Sequence, residues 1–273
     1  MRVDTLRISA SELPEVERDT TLIELLEVMT RKETDLALVT QRGDHLGVVS
    51  LENILLHMLE FRRRLSDILN EGVGSFTTPP KYVLSHEADH DELRQIILEM
   101  EAYEPIFIIK DERPIAVMTL SNMLSSLSFI KPLFCEIIAY SRSLGTLVAP
   151  NTSIKGCIKR MVEDNSKHAI VHRKGKVLGL INYLDIVNCL TSKDTLGYIK
   201  AGVDDYFFYT TCSTVMKRNF EYLVIGDYDK AYQMLVSNEY LIVLDSHRGK
   251  RLIKFMSVGN AFVLLQETLK RHF

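Results

Sequence analysis

The side chains best suited to chemistry in this sequence recur four times in one pattern. In each copy a Ser, Thr or Asn follows a short apolar run, and an Asn or Asp stands three positions later. If a helix begins at the first of the two residues, this spacing places both side chains in its first turn. The four pairs are Ser50 and Asn53, Thr119 and Asn122, Asn182 and Asp185, and Ser257 and Asn260.

Each pair has a structural and a chemical interpretation. Ser, Thr and Asn are preferred N-caps, and a polar residue three positions later matches a capping box, so the pairs could serve only to start helices. A helix N-terminus also presents free N–H groups and a positive dipole end, which suit a phosphate. A carboxylate there can accept hydrogen bonds from ribose hydroxyls more strongly than an amide can. Among the four pairs, only Asp185 supplies a carboxylate.

Each pair closes the same succession of predicted elements. A short extended stretch and a polar turn come first, followed by an amphipathic helix and by two apolar runs that a turn separates. The first such helix has apolar residues at Leu22, Leu25, Leu26 and Met29, and the fourth, from Ala231, has a weaker apolar face. A second apolar helix then begins at the pair. The sequence therefore predicts a β-α-β-β-α repeat.

The repeats account for nearly the whole chain of 273 residues. The first members of successive pairs are 69, 63 and 75 residues apart, and a period of this length is a complete supersecondary unit. The predicted bounds of the repeats are 1–64, 75–128, 140–192 and 212–273, with the fourth repeat degenerate. Since little chain is left for a separate catalytic domain, the sequence indicates that the protein is not an enzyme.

One stretch resembles a catalytic motif. Residues 86–90 read His-Glu-Ala-Asp-His, which matches the H-E-x-x-H pattern of zinc proteases. That pattern works when one helix presents both His side chains to the metal and the Glu as the base. Alignment of the repeats instead places these residues in a turn, with a helix beginning near Asp89. The sequence therefore predicts no metal site, and metal binding at His86 and His90 is a remote alternative.

The order of elements resembles the CBS domain family, named after cystathionine beta-synthase, and so does the pattern Gly-apolar-apolar-Ser/Thr-x-x-Asp/Asn that opens the last helix. The resemblance covers all four repeats, and the layout is similar to the gamma subunit of AMP-activated kinase and to archaeal four-repeat relatives. It implies an α+β fold in which consecutive repeats pair into two Bateman modules that pack as a disc. It also implies a regulatory protein that binds adenosine nucleotides or related adenosyl ligands in clefts between paired repeats.

The resemblance also selects site residues. In this family the Asp of the pattern holds the ribose, and basic residues before the second strand often reach the phosphates. Only the third repeat has both features. We therefore expect one competent site, formed by Asp185, Asn182, His168 and Lys167.

The other three repeats depart from the family pattern in ways that weaken them as sites. Their residues before the second strand include Asp35, Glu104 and Glu239, whose charge would repel phosphate. Ala116 and Lys254 replace the usual Gly in the second and fourth repeats, where a side chain would fill space that a ligand needs. The pairs of these repeats are weaker ligand-binding candidates: Ser50, Asn53, Thr119, Asn122, Ser257 and Asn260.

The expected ligand is AMP, ADP, ATP or S-adenosylmethionine, bound as a regulator, with no obligatory cofactor and no metal. A protein partner under regulation and a homodimer are further expectations. The net charge of −3 argues against a nucleic-acid partner, because phosphate backbones bind basic surfaces. The sequence predicts no membrane partner, because its most apolar stretch is too short to span a bilayer, and its scattered cysteines fit a reducing cytoplasm.

Two questions stay open at the level of sequence. A chain with these repeats could bind no ligand and serve as a protein-interaction scaffold. The aromatic run Tyr206-Phe207-Phe208-Tyr209, between the third and fourth repeats, could be core packing, a partner surface or a wall on which adenine stacks.

Overall fold

The computed structural model describes residues 8–9, 13–60, 63–88, 90–111, 113–126, 131–142, 145–225 and 230–272. Asp89, the predicted helix start, and the side chain of His90 lie outside this description. Within the described ranges, no helix combines the length and the apolar character that crossing a membrane requires.

The first repeat has the predicted β-α-β-β-α order. A capping box starts its first helix, in which the Thr21 N–H donates to the Glu24 carboxylate at 3.0 Å. The apolar face of that helix is buried on a three-stranded sheet whose first two strands are parallel and whose last two are antiparallel. In chain order the elements are β1 (Ile8–Ser9), which precedes the repeat, β2 (Glu15–Glu17), α1 (Leu22–Arg31), β3 (Leu36–Gln41), β4 (Asp44–Ser50) and α2 (Leu51–Glu60).

The second repeat follows a connection that contains two short helical segments. Its sheet gains a fourth strand, because β1 pairs antiparallel with the last strand of this repeat. A further helix leads on to the third repeat. The elements are α3 (Leu65–Leu69), a 3-10 helix (Val73–Phe76), β5 (Tyr82–Ser85), α4 (His90–Glu99), β6 (Ile106–Lys110), β7 (Arg113–Met118), α5 (Leu120–Ser126) and α6 (Lys131–Tyr140).

The third and fourth repeats have the same order, and three short helices connect them. The first strand of the fourth repeat is only two residues long. The elements are β8 (Thr146–Val148), α7 (Ile154–Glu163), β9 (His168–Arg173), β10 (Lys176–Asn182), α8 (Tyr183–Leu190), α9 (Lys193–Lys200), α10 (Asp205–Tyr209), α11 (Cys212–Val215), β11 (Leu223–Val224), α12 (Ala231–Asn238), β12 (Tyr240–Leu244), β13 (Leu252–Ser257) and α13 (Val258–His272).

Consecutive repeats pack through their sheets. Leu38 of the first sheet shares a buried apolar cluster with Phe107 and Val117 of the second. The third and fourth sheets are joined by backbone hydrogen bonds, such as that from the Val177 N–H to the Lys250 carbonyl at 2.9 Å. This pairing of repeats 1 with 2 and 3 with 4 is the arrangement expected of two modules.

The two modules pack against each other through their helices. In the first and third repeats, α2 lies against α7 and α8 in one apolar core. In the second and fourth repeats, α12 and α13 lie against α5 and α4 in another. Each repeat thus packs its sheet against one other repeat and its helices against another, and the four form a closed ring. The predicted fold class, α+β with four paired β-α-β-β-α repeats, is confirmed.

Candidate ligand-binding site

Four residues, one from each repeat, meet where the ring closes. Asp35, Tyr103, Lys167 and Glu239 each lie shortly before the second strand of their repeat. The Lys167 ammonium is 2.5 Å from Asp35 Oδ2 and 3.5 Å from Glu239 Oε2. It also lies 4.6 Å from the centre of the Tyr103 ring, within the range of a cation–π contact. We call these four residues the central cluster.

The charge of Lys167 is balanced within the central cluster. Its side chain is only 12% exposed, and burial by itself lowers the pKa of an ammonium group. The carboxylates of Asp35 and Glu239 outweigh the burial, so that the pKa of Lys167 is raised. The predicted role of Lys167 is contact with a phosphate, and such a phosphate would have to compete with two carboxylates.

A cavity of about 300 Å³ borders the central cluster. Its wall includes three of the four residues predicted for the site, namely Asn182, Lys167 and His168. Thr119 of the second repeat and Tyr183 at the start of α8 lie in the same wall. We call this space the polar cavity.

Two buried polar groups in this wall have no hydrogen-bond partner in the described part of the chain. They are the Nδ1 atom of His168, which is 7% exposed, and the hydroxyl of Tyr183, which is 3% exposed. Burial, together with the charge of Lys167, lowers the pKa of His168 to about 3, so the imidazole is neutral near pH 7. Burial raises the pKa of the Tyr183 phenol, which therefore keeps its proton. Both groups can form hydrogen bonds with a neutral ligand.

Asp185, the predicted ribose acceptor, has both carboxylate oxygens engaged. Its Oδ2 accepts from the Asn182 N–H at 3.0 Å, and the Asn182 side chain accepts from the Asp185 N–H at 2.9 Å, which completes a capping box. Its Oδ1 is 2.7 Å from the ammonium of Lys217, in the segment between α11 and β11. Asp185 is buried and is not among the residues that line the polar cavity. A ribose would reach this carboxylate only after Lys217, whose side chain is 60% exposed, moved away.

The other three pairs also form cap hydrogen bonds. In each, the backbone N–H of the second residue donates to the hydroxyl of the first, at 3.2 Å in the first and fourth repeats and at 3.4 Å in the second. In the fourth repeat the pair also forms hydrogen bonds with the third repeat. The Asn260 amide donates to the Asp164 carbonyl at 2.6 Å, and the Ser257 hydroxyl donates to the Asn165 carbonyl at 3.3 Å. All four pairs therefore cap a helix. Whether a pair is also part of a ligand site depends on the side chains that surround it.

A second cavity, of about 500 Å³, shares Asp35 and Lys167 with the polar cavity, so the central cluster forms a wall of both. The weaker candidates Ser50 and Asn53 line it, together with Thr78 from the connection to the second repeat. We call this space the acidic cavity, because three further carboxylate side chains line it: Glu52, Glu101 and Glu104.

The glycine of the family pattern has a backbone role here. A Cβ atom at Gly47 would overlap the Thr78 carbonyl, and one at Gly179 would stand 2.7 Å from the Lys217 carbonyl oxygen. In both places the connecting chain pairs with the last strand of the repeat, through Val48 and Leu180. Close approach of a second backbone segment therefore accounts for these glycines, whereas the sequence analysis attributed them to room for a ligand.

The two His residues of the H-E-x-x-H sequence do not lie on one helix. α4 begins at His90, so His86 lies in the turn before the helix, as predicted. Among the described residues, no group of three or more His, Cys, Asp or Glu side chains is placed to hold a metal ion.

The aromatic run before the fourth repeat forms α10. Phe207 is fully buried in the core of the first and third repeats, whereas Tyr206 stacks on Tyr198 with ring centres 4.0 Å apart. None of the four aromatic residues lines the polar or the acidic cavity. The aromatic run therefore does not form a wall for adenine stacking in either cavity. Of the three interpretations, core packing describes Phe207.

Sequence reasoning missed Tyr183 and Lys217. Tyr183 follows the first residue of its pair, and the residues at that position in the other repeats are the buried apolar Leu51, Leu120 and Val258. A hydroxyl at a position that is otherwise apolar was a usable signal. Lys217 gave no comparable signal, because it lies in a connection that the repeat pattern does not align.

Comparisons with known proteins bear on the family and on the fold. The model of the CBS domain family matches residues 7–60 and 146–192, which contain the first and third repeats. A search of curated protein sequences found no match.

Two solved structures show the same fold over nearly the whole chain. MJ1225 of Methanocaldococcus jannaschii, which is proposed to be an archaeal homologue of g-AMPK, aligns with a TM-score of 0.77 and 19% identity, over 97% of this chain and 100% of its own. An uncharacterized conserved protein of Pyrococcus horikoshii aligns with a TM-score of 0.53 and 14% identity over the same shares. CBSX2 of Arabidopsis thaliana, solved in complex with AMP, aligns with a TM-score of 0.40 and 20% identity, over 48% of this chain and 98% of its own.

Proposed function

We propose that this chain, whose first and third repeats are CBS domains, is a regulatory protein that binds an adenosine-type ligand in the polar cavity and transmits its occupancy to a partner protein. The observation that carries the proposal is the pair of buried, unpartnered polar groups of His168 and Tyr183 in the wall of that cavity. CBS-domain proteins are in general regulatory and bind nucleotides.

The unpartnered groups favour a bound ligand for an energetic reason. A buried hydroxyl or ring nitrogen without a partner costs about 1–3 kcal/mol of stability, and such groups in native proteins call for an explanation. A ligand that supplies one hydrogen bond to each group would recover much of that free energy. A volume of about 300 Å³ lies at the lower end of the range for small-molecule sites, about 300–1,000 Å³, which fits a nucleoside better than a dinucleotide.

The position of the cavity supplies a way to pass on a signal. Residues from all four repeats line it, including Asp35, Thr119, Asn182 and Glu239. A ligand that contacts both modules binds one relative arrangement of them better than another. It therefore shifts the population toward that arrangement by its differential affinity. A partner protein that recognises one arrangement would sense the ligand.

Asp185 has a conditional place in this proposal. It stands one helical turn inside α8 from Asn182, which lines the cavity. Its carboxylate becomes a ribose acceptor when Lys217 releases it. The predicted site of Asn182, His168, Lys167 and Asp185 is thus kept, with Tyr183 added.

The test is isothermal titration of AMP, ADP, ATP and S-adenosylmethionine into the wild type and into Tyr183→Phe. Because the hydroxyl has no protein partner, its removal should leave the free energy of unfolding unchanged or slightly increased. It should also lower the affinity for the bound ligand about five- to tenfold, the value of one hydrogen bond. The matched control is Tyr232→Phe, whose hydroxyl donates to the Leu124 carbonyl at 2.6 Å away from the cavity. This control should lose stability and keep its affinity. Absence of binding for all four compounds would overturn the proposal.

A ligand-independent scaffold is the second candidate function, and the central cluster favours it. Lys167 is fully paired with protein carboxylates, so the ring closes without a ligand. A stable complex with a partner protein, whose affinity stays the same when each of the four compounds is added, would support the scaffold.

A further inference from the structure

Two of the four cysteines meet in the core, although they are far apart in the sequence. Cys157 lies in α7 of the third repeat, and Cys212 lies in α11, within the connection to the fourth repeat. Both are free and fully buried. The Cys157 thiol donates a hydrogen bond to the sulfur of Cys212, so the two sulfur atoms are in direct contact. We call these two residues the thiol pair.

The backbone brings the thiol pair together. Thr211, just before α11, pairs antiparallel with Ser153, the residue before α7. The Cys212 N–H also donates to the Thr152 carbonyl at 2.8 Å. A side chain on a helix leans toward the N-terminus of that helix, so Cys157 leans over the first turn of α7, where this pairing takes place. The paired segments therefore hold both sulfur atoms at one point of the core.

The hydrogen bond makes the two thiols chemically unequal. It raises the pKa of Cys157, which burial raises further. The same hydrogen bond lowers the pKa of Cys212. Because the thiolate is the nucleophilic form of cysteine, Cys212 is the sulfur that reacts first. Cys157 then stands within reach of the product.

Cys212 lies just below the surface of the protein. Its neighbours Ser213 and Thr214 are exposed, and α11 is only four residues long. The Thr211 side chain forms no cap hydrogen bond with this helix. Short elements held by few contacts open locally at a low free-energy cost. A small molecule can therefore reach the sulfur of Cys212 when α11 opens, while the rest of the core stays folded.

We infer that the thiol pair is a site of reversible oxidation, at which a peroxide converts Cys157 and Cys212 into an internal disulfide. The Cys212 thiolate attacks one peroxide oxygen, so that a sulfur–oxygen bond forms, the oxygen–oxygen bond breaks and hydroxide leaves. The Cys157 sulfur then attacks the resulting sulfenic acid, which forms the sulfur–sulfur bond and breaks the sulfur–oxygen bond. The two sulfur atoms are oxidised, and the peroxide and the two thiol protons become two molecules of water.

The disulfide fixes the connection between the third and fourth repeats onto α7. α11 leads to Lys217, whose backbone pairs with Leu180 of β10 and whose ammonium holds Asp185. A covalent bond between α7 and α11 closes a long loop and opposes the opening of this segment. Where cellular thiols keep proteins reduced, such a disulfide is transient and reports the presence of an oxidant.

The test uses the full chain with Cys135→Ser and Cys189→Ser, which leaves only the thiol pair. The folded protein is treated with hydrogen peroxide, and its peptides are mapped by mass spectrometry without reductant. We expect the peptides of Cys157 and Cys212 to be joined, with the mass of two hydrogen atoms lost, and dithiothreitol to separate them. The wild type, mapped in the same way, should contain the same joined peptides, which guards against misfolding of the variant.

Two matched controls test the order of the reaction. Cys157→Ser in the same background keeps a hydrogen-bond donor beside Cys212, and it should stop at the sulfenic acid, which dimedone traps. Cys212→Ser should leave Cys157 reduced, because its thiol is buried and keeps its proton. In the oxidised protein, the backbone amides from Cys212 to Lys217 should exchange with deuterium several-fold more slowly, and those of α1 should be unchanged.

Three results would overturn the inference. The thiol pair could stay reduced while the exposed Cys135 of the wild type is oxidised. Each sulfur could be oxidised separately, without joined peptides. The joined peptides could form only after the protein is unfolded in urea. In each case the thiol pair would serve only as two small apolar groups of the core. The proposed function would stand, since neither cysteine lines the polar cavity.

Discussion

The polar and acidic cavities share one wall and differ in the state of their polar groups. In the polar cavity the buried groups without a hydrogen-bond partner in the described part of the chain are neutral, an imidazole and a phenol. In the acidic cavity two partly exposed carboxylates, Glu52 and Glu104, have no ion pair among the described residues. Lys167, the cation that both cavities share, is occupied by Asp35 and Glu239. Repeats with the same fold can therefore present sites of different charge, because a few side chains near the ring centre decide which charges remain unpaired.

The largest expected effect comes from removing the shared cation. Lys167→Met leaves the carboxylates of Asp35 and Glu239 close together in a mostly buried place, and we expect a loss of about 3–5 kcal/mol in the free energy of unfolding. Urea denaturation of the wild type and the variant at neutral pH measures this loss. The matched control is Lys81→Met, which breaks an exposed pair with Glu101 and should cost less than about 1 kcal/mol.

A neutral version of the cluster distinguishes charge from packing. The triple variant Asp35→Asn, Lys167→Met, Glu239→Gln removes all three charges together and should recover most of the lost stability. If the single variant costs no more than Lys81→Met, the central cluster does not hold the ring together. The residues that the two cavities share would then contribute little to stability.

The next effect concerns the wall of the acidic cavity alone. In Gly47→Ala the new methyl group would overlap the Thr78 carbonyl, and the backbone of residue 47 has a φ of +157°. The connecting chain must move, at a cost of about 1–3 kcal/mol. Because Thr78 lines the acidic cavity, the affinity of a ligand bound in that cavity should fall too. Gly179→Ala, with a less severe approach to Lys217, should cost less, and thermal unfolding of the two variants gives the comparison. An equal or larger loss in Gly179→Ala would contradict the proposed role of Thr78.

The repeat pattern predicted the elements of the fold but not how its charges are paired. The motif at Asn182 and Asp185 predicted a capping box, which depends only on residues three positions apart. The ion pair of Asp185 with Lys217 joins the motif to a connecting segment, and no local pattern encodes it. Asp35, Lys167 and Glu239 could be aligned from the repeats. Their mutual contact could not, because it depends on how the ring closes.

The polar cavity should make the protein sensitive to acid through His168. Its pKa falls from 6.5 to about 3 on folding, so the unfolded chain binds a proton at a higher pH than the folded one. The stabilisation is present above pH 6.5 and is lost as the pH falls below it. Between pH 6.5 and about pH 5 the expected loss is about 2 kcal/mol.

Urea denaturation at the two pH values, for the wild type and for His168→Gln, measures this loss. The variant should be less stable at pH 6.5 and should lose clearly less on acidification. His247→Gln, at an exposed turn, should behave as the wild type does. An unchanged acid response in His168→Gln would show that the neutral state of this imidazole is not what stabilises the polar cavity near pH 7.

The smallest expected effect on stability decides whether Asp185 belongs to the polar cavity. Lys217→Ala removes an exposed ammonium that pairs with the buried Asp185 carboxylate. Because water can take the place of the Lys217 side chain, the variant should cost about 1 kcal/mol. It also frees Oδ1 of Asp185, while the Asn182 N–H still holds Oδ2. If the carboxylate accepts ribose hydroxyls, the affinity of the variant for adenosine-type ligands should rise several-fold, because the ligand no longer displaces Lys217.

Titration of 2′-deoxyadenosine 5′-monophosphate alongside AMP supplies the control, since the gain in affinity should be confined to the compound with both ribose hydroxyls. An equal gain for both, or none for AMP, would restrict Asp185 to capping α8, and Asn182, His168 and Tyr183 would form the site without it.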